Sequence, residues 1–156
     1  RPVALVLSRQ NIKTLPALGT SRREEAAQVS KGGYVVMDSA KPEVVMVATG
    51  SEVATLVEGA ELLAAEGISV RVVNVPSEGL FRDQPKSYQQ TVLPQGVVRY
   101  GLTSGLPVTL LGLVGENGMI HGLDHFGYSA PYKVLDEKFG YNGQTVYEEV
   151  KKLIGK

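Results

Sequence analysis

VVMVATGSEVATLVEGAELLAAEGISVRVVNVP, residues 44–76, reads as strand, turn, helix, turn, strand. Val44 to Ala48 is an uninterrupted apolar run, the pattern of a strand buried on both faces. Thr49-Gly50-Ser51 then turns the chain into a helix over residues 52–65. There Val53, Leu56, Val57, Ala60, Leu63 and Ala64 recur at helical spacing and make one apolar face. Ser51 is placed to cap this helix, Glu52 suits the positive end of its dipole, and Gly67 suits its stop. Val70 to Val75 is a second buried strand, closed by Pro76. Strand, helix and strand in that order form a crossover unit, so the two strands run parallel.

Working outward, Gly33 to Met37 reads as a strand ahead of this unit, broken by Lys41-Pro42. Residues 10–32 are polar and show no sustained period. They read as an extended connection with little regular structure, more like a linker between domains than a loop within one. Before it, Arg1-Pro2 leads at once into the apolar run 3–7, as though the chain opened inside a strand of something larger. After Pro76, residues 78–82 fit a helical turn and residues 87–92 a short helix. Residues 97–103 and 119–123 read as strands, and residues 106–114 fit either a strand or a short helix. Residues 129–139 and 144–154 read as closing helices, the first capped by Ser129 with Pro131 in its first turn. The expected fold is α/β: a three-layer, Rossmann-like sandwich around a mostly parallel central sheet of about five strands.

The 156 residues, 43% hydrophobic and 21% charged, suffice for one domain with a real core. Sixteen basic and sixteen acidic side chains cancel, so charge offers no case for nucleic acid or an anionic membrane. No apolar run is long enough to span a bilayer. With no cysteine there is no disulfide, thiolate metal site or thiol nucleophile, which fits a cytoplasmic protein.

Few groups here can do chemistry. Thr49, Gly50 and Ser51 sit where a parallel strand feeds a helix, so an anion could dock on outward amides; a capped turn also accounts for them. His121 and His125 would share a face of a strand but lie roughly 13 Å apart along it, too far for one metal ion. Arg22-Arg23 beside Glu24-Glu25, and Glu148-Glu149 before Lys151-Lys152, read as solvated charges. No catalytic residue and no metal ligand can be assigned. Arg9, in Ser8-Arg9-Gln10 at the carboxyl end of the first apolar run, could grip a phosphate with its fork of donors; an exposed or ion-paired arginine is the plainer alternative.

Several blocks, in order, resemble the transketolases: LSRQN (7–11), GGYVVMD (32–38), VVMVATGSEV (44–53), LLAAEGISVRVVNVPS (62–77), Tyr88 with VLP (92–94), GLDHFGYSAP (122–131) and LDEKFG (135–140). The resemblance implies three segments. Residues 1–13 would end the family's pyrimidine-binding domain, residues 14–32 would be a linker, and residues 33–156 would be the carboxyl-terminal domain. It implies a parent enzyme of the pentose phosphate pathway, a homodimer that moves a two-carbon ketol unit between sugar phosphates. That parent would use thiamine diphosphate with Mg²⁺ or Ca²⁺, bound by domains absent from this sequence. It also implies that Arg9 contacts the substrate's terminal phosphate. The segment GLTSGLPVTLLGLVG (101–115) departs from the family pattern: Thr103 stands where a glutamate is usual and the aromatics are missing. On this reading the fragment itself is inactive and supports domain packing and the dimer. The alternative is a regulatory anion- or nucleotide-binding module at Thr49–Glu52.

Overall fold

The computed structural model describes residue 2 and residues 4–8, 11–19 and 21–156. In chain order they form α1 (Arg22–Ala26), a 3₁₀ turn (Ala27–Lys31), β1 (Tyr34–Met37), β2 (Val44–Ala48), α2 (Glu52–Ala65) and β3 (Val70–Asn74). There follow α3 (Glu78–Arg82), α4 (Lys86–Val92), β4 (Val98–Leu102), a 3₁₀ turn (Pro107–Leu110) running into α5 (Leu111–Val114), β5 (Met119–His121), α6 (Tyr132–Phe139) and α7 (Gly143–Leu153). Among the described residues the strands make one five-stranded sheet, ordered β1-β3-β2-β4-β5. β2 pairs in parallel with both β3 and β4, and β4 with β5; β1 runs antiparallel against β3. The expected α/β sandwich with a mostly parallel sheet is the fold observed.

The buried run 44–48 explains the layers. All five residues of β2 are buried, and side chains alternate across a strand. Val44, Met46 and Ala48 join a core with Leu56, Ala60 and Leu63 of α2 and Val146 and Val150 of α7. Val45 and Val47 face the other way, into a core with Phe81, Val92, Leu93, Leu110 and Leu113. One strand thus feeds both cores, with α2 and α7 on one side of the sheet and α3, α4 and α5 on the other.

α2 and α7 meet at small residues. A Cβ built on Gly59 would lie 2.6 Å from Val146 Cγ1, and one on Gly143 would lie 2.8 Å from Glu58 Cβ. Alanine at position 59 gains helix propensity of roughly 1 kcal/mol but forces the two helices apart at about 1–3 kcal/mol. Gly59→Ala is expected to destabilise the chain by about 1 kcal/mol, read as a lower midpoint in urea unfolding with an unchanged slope.

Two local expectations are corrected, and one left open is settled. Residues 22–31 are helical, not extended. Ser21 caps α1 by accepting from the Glu24 amide, and Arg22 pairs with Glu25 at 3.0 Å. The charges read as solvated are therefore partly structural. Arg22 Nη2 donates to the Val36 carbonyl of β1 at 3.0 Å and to the Pro16 carbonyl, while Glu25 Oε1 accepts from the Leu18 and Gly19 amides at 2.7 and 2.8 Å. This clasp pins residues 16–19 against the sheet edge. At α6, Ser129 does not cap: Pro131 stands at the cap with extended backbone, and the helix begins at Tyr132. Within residues 106–114, left open between strand and helix, residues 107–114 form the 3₁₀ turn and α5.

Candidate functional site at the carboxyl edge of the sheet

In open α/β sheets, ligands gather beyond the carboxyl ends of the strands. Here that edge opens into a cleft of about 1030 Å³. Ser51 and Glu52 line it after β2, Ser104 after β4 and Leu123 after β5. Tyr132, Asp136 and Phe139 of α6, with Tyr141 beyond it, form a wall, and Ser8 and residues 11–13 of the amino-terminal segment line it too.

The turn after β2 is built as the sequence requires at one position only. Gly50 has φ +65°, a conformation in which a side chain is strained. Ser51 is already helical, at φ −63° and ψ −34°, and its side chain caps no amide. Its Oγ donates instead to Glu52 Oε2 at 3.2 Å. The expected Ser51 cap is therefore corrected: a residue inside the first helical turn aims its hydroxyl away from the free amides.

Carboxylates outnumber ammonium groups in the cleft, which Glu52, Glu58, Asp136 and Glu137 line together with Lys13 and Lys133. Burial, then the charge of Glu52, pushes the Asp136 carboxyl above its ordinary value. Burial, then Glu52 and Glu149, pushes the Tyr141 hydroxyl up to about 12. The Val53 and Ala54 amides at the start of α2 already donate to the Gly50 and Ser51 carbonyls, at 3.4 and 3.1 Å. A carboxylate at the mouth and amides turned inward give no support to the anion or nucleotide module at Thr49, Gly50 and Ser51. Arg9 lies outside the described residues.

The two histidines part company. His121, at the end of β5, places Nδ1 3.0 Å from both oxygens of Glu149 and Nε2 2.8 Å from the Phe139 carbonyl. Tyr100 from β4, wholly buried, donates to Glu149 Oε2 at 2.6 Å. His125 belongs to the loop after β5, where its ring lies 5.3 Å from that of Phe139. Glu149, read from the sequence as a solvated charge, is thus a half-buried hub between β4, β5 and α7. Burial alone would raise its carboxyl; the hydrogen bonds from His121 and Tyr100 outweigh that and hold it below the ordinary range. The available signal was its phase: Glu149 follows Val146 by three residues, on the face that α7 buries.

Residues 32–142 match the family model of the transketolase-like TK C-terminal domain. Transketolase 2 of Vibrio parahaemolyticus and transketolase 1 of Escherichia coli are each 41% identical to the chain over 155 residues, which is 98% of this chain and 23% of theirs. The solved transketolase of Leishmania mexicana superposes on 94% of the chain with a TM-score of 0.82 at 34% identity, covering 20% of that structure. The chain thus spans about a quarter of the length of these relatives. By the family model and by similarity in sequence and structure over nearly its whole length, it belongs to the transketolase family, of which it carries the C-terminal domain.

Proposed function

We propose that the chain serves as the non-catalytic C-terminal module of an enzyme that transfers a two-carbon ketol unit between sugar phosphates. The observation that carries this reading is similarity over nearly the whole chain to transketolases roughly four times as long. The residues present do not fit thiamine diphosphate and its cation. Among the described residues no group of three or more His, Asp or Glu could hold a metal ion, and the cleft sets Glu52, Glu58, Asp136 and Glu137 against only Lys13 and Lys133. On this reading upstream domains of the parent hold the cofactor and Mg²⁺ or Ca²⁺, and no catalytic step is assigned to this chain.

The module's work is to pack on those domains and to support the homodimer. Leu5, Val6 and Leu7 are 79%, 92% and 72% exposed, an apolar run with no sheet to join among the described residues. That agrees with residues 1–13 completing an upstream pyrimidine-binding domain, residues 14–32 linking, and residues 33–156 forming the module. In such a parent Arg9 would hold the terminal phosphate of the sugar, far from the reacting carbon, so that its binding energy positions the substrate. Among the described residues no helix is long and apolar enough to cross a membrane; a cytoplasmic location is part of the same proposal.

The test pairs two samples. Full-length parent, with thiamine diphosphate and Mg²⁺, is expected to transfer the ketol unit from a ketose phosphate to an aldose phosphate. The 156-residue chain is expected to give no turnover, and no heat when the cofactor and Mg²⁺ are titrated into it. Turnover by the chain, or a parent without ketol transfer, overturns the reading.

A further inference from the structure

His121 faces acceptors on both sides. Nδ1 meets the Glu149 carboxylate, and that carboxylate also accepts from the Tyr100 hydroxyl, so it arrives ionised and without a proton to give. Nε2 meets the backbone carbonyl of Phe139, which can only accept. A neutral imidazole carries one N–H and would leave one of these contacts as two lone pairs in opposition. The geometry therefore requires an imidazolium with both nitrogens donating.

We propose that His121 is a pH-sensitive clasp: doubly protonated, it ties β5 to α7 and to the end of α6, and its deprotonation frees the end of α6. The carboxylate retains the proton on Nδ1, because that contact is charge-assisted, so the Phe139 carbonyl is the group that loses its donor. It is one of the last carbonyls of α6, which have no partner within the helix.

What hangs on this anchor is the loop after β5. The rings of Tyr128 and Phe139 stack with centroids 5.5 Å apart, His125 packs against both, and Lys138 Nζ sits 4.5 Å above the Tyr128 ring. Phe126 beside them is 97% exposed. The chain from His121 through Phe139 to Tyr128 thus holds an exposed aromatic loop in place.

The charges around the imidazole favour the closed state near neutral pH. Glu149 and, behind it, Lys152 approach from α7, and Tyr100 from β4. Tyr141 packs edge-on, with ring centroids 5.1 Å apart, and Glu52 and Asp136 lie across the cleft beyond it. The hydrogen bond with Glu149 raises the histidine above its ordinary value, against the lowering effect of burial.

The experiment is a pH titration of the 156-residue chain by NMR, following the His121 ring nitrogens and amide protection factors. At pH 6 both nitrogens are expected to carry protons, with a titration midpoint above the ordinary histidine value. Through that midpoint, protection at Gly140 and Tyr141, whose amides close the end of α6, is expected to fall about tenfold relative to Met46, the effect of one lost charge-assisted hydrogen bond. Glu149→Gln is expected to lower the midpoint and shift the loss of protection with it. A purely structural contact would instead lower protection equally at every pH. A neutral His121 at pH 6, a midpoint at or below the ordinary value, or flat protection in the unmutated chain overturns the proposal.

Discussion

Gly32→Ala is expected to lower the stability of the chain by about 3 kcal/mol, the sum of two penalties at one position. Gly32 has φ +82°, where an L side chain costs about 1–2 kcal/mol. A Cβ there would also lie 2.3 Å from the Phe81 amide nitrogen and 2.4 Å from the Ser77 carbonyl oxygen. Both are backbone atoms, so no rotamer relieves the clash. The approach is close because Gly32 is bonded into the next layer: its carbonyl accepts from the Ser77 amide at 3.1 Å, while Tyr88 donates to the Gly33 carbonyl at 2.8 Å. Alanine must pull the start of β1 away from α3, where Phe81 is a fully buried anchor of the second core. In a chain of this size 3 kcal/mol lowers the melting temperature by about 9 °C. Thermal unfolding of Gly32→Ala against the parent sequence measures this, with Gly67→Ala as a comparison. Gly67 has φ +78° but nothing within 4 Å of an added Cβ, so it carries only the conformational part. Equal losses at the two positions would show that the backbone contacts at Gly32 cost nothing.

The contrast between these glycines bears on what a sequence makes legible. The β2–α2–β3 unit was readable because its signals are local: an apolar run, a helical period and a terminating glycine. The antiparallel pairing of β1 was not, because nothing in Tyr34 to Met37 specifies a neighbour. α1 was missed for a related reason. Arg22-Arg23-Glu24-Glu25 has no apolar stripe, and its order comes from bonds to Val36 and Pro16 that only the folded chain brings near. Ser51 shows a finer limit: its residue type suits a cap, but Gly50 shifts the helical turn by one residue, and the hydroxyl turns to Glu52. At the candidate site, Glu52 was legible as a dipole partner. That it shares a cleft with Asp136 was not, since the two come from opposite ends of the domain. Arg9 was legible as a strand-end phosphate candidate, but it lies outside the described residues, and only resemblance chose that reading over an exposed or ion-paired arginine.

Glu149→Ala is expected to destabilise the chain by about 3 kcal/mol near pH 6, because it leaves two donors without an acceptor inside the fold. Tyr100 is fully buried beneath the site, and among the described residues its hydroxyl has no acceptor but Glu149. The His121 side chain is 15% exposed, so its charge is poorly compensated by water once the carboxylate is gone. The loss depends on pH in a defined sense. His121 is raised when folded, so its share of the stability is full below the ordinary value of 6.5 and disappears as pH rises through the folded value. Glu149 is lowered when folded, so its share is present above the ordinary 4.5 and disappears as pH falls through the folded value. The difference between the parent sequence and Glu149→Ala is thus greatest between about pH 4.5 and 6.5. Above the folded His121 value it shrinks toward the two hydrogen bonds that Glu149 still accepts, from Tyr100 and from Nδ1 of the neutral imidazole, together about 2 kcal/mol. Urea unfolding of both proteins from pH 4 to 9 gives the curve. A difference that stays level across that range would place the whole effect in packing of the glutamate's methylenes rather than in its charge.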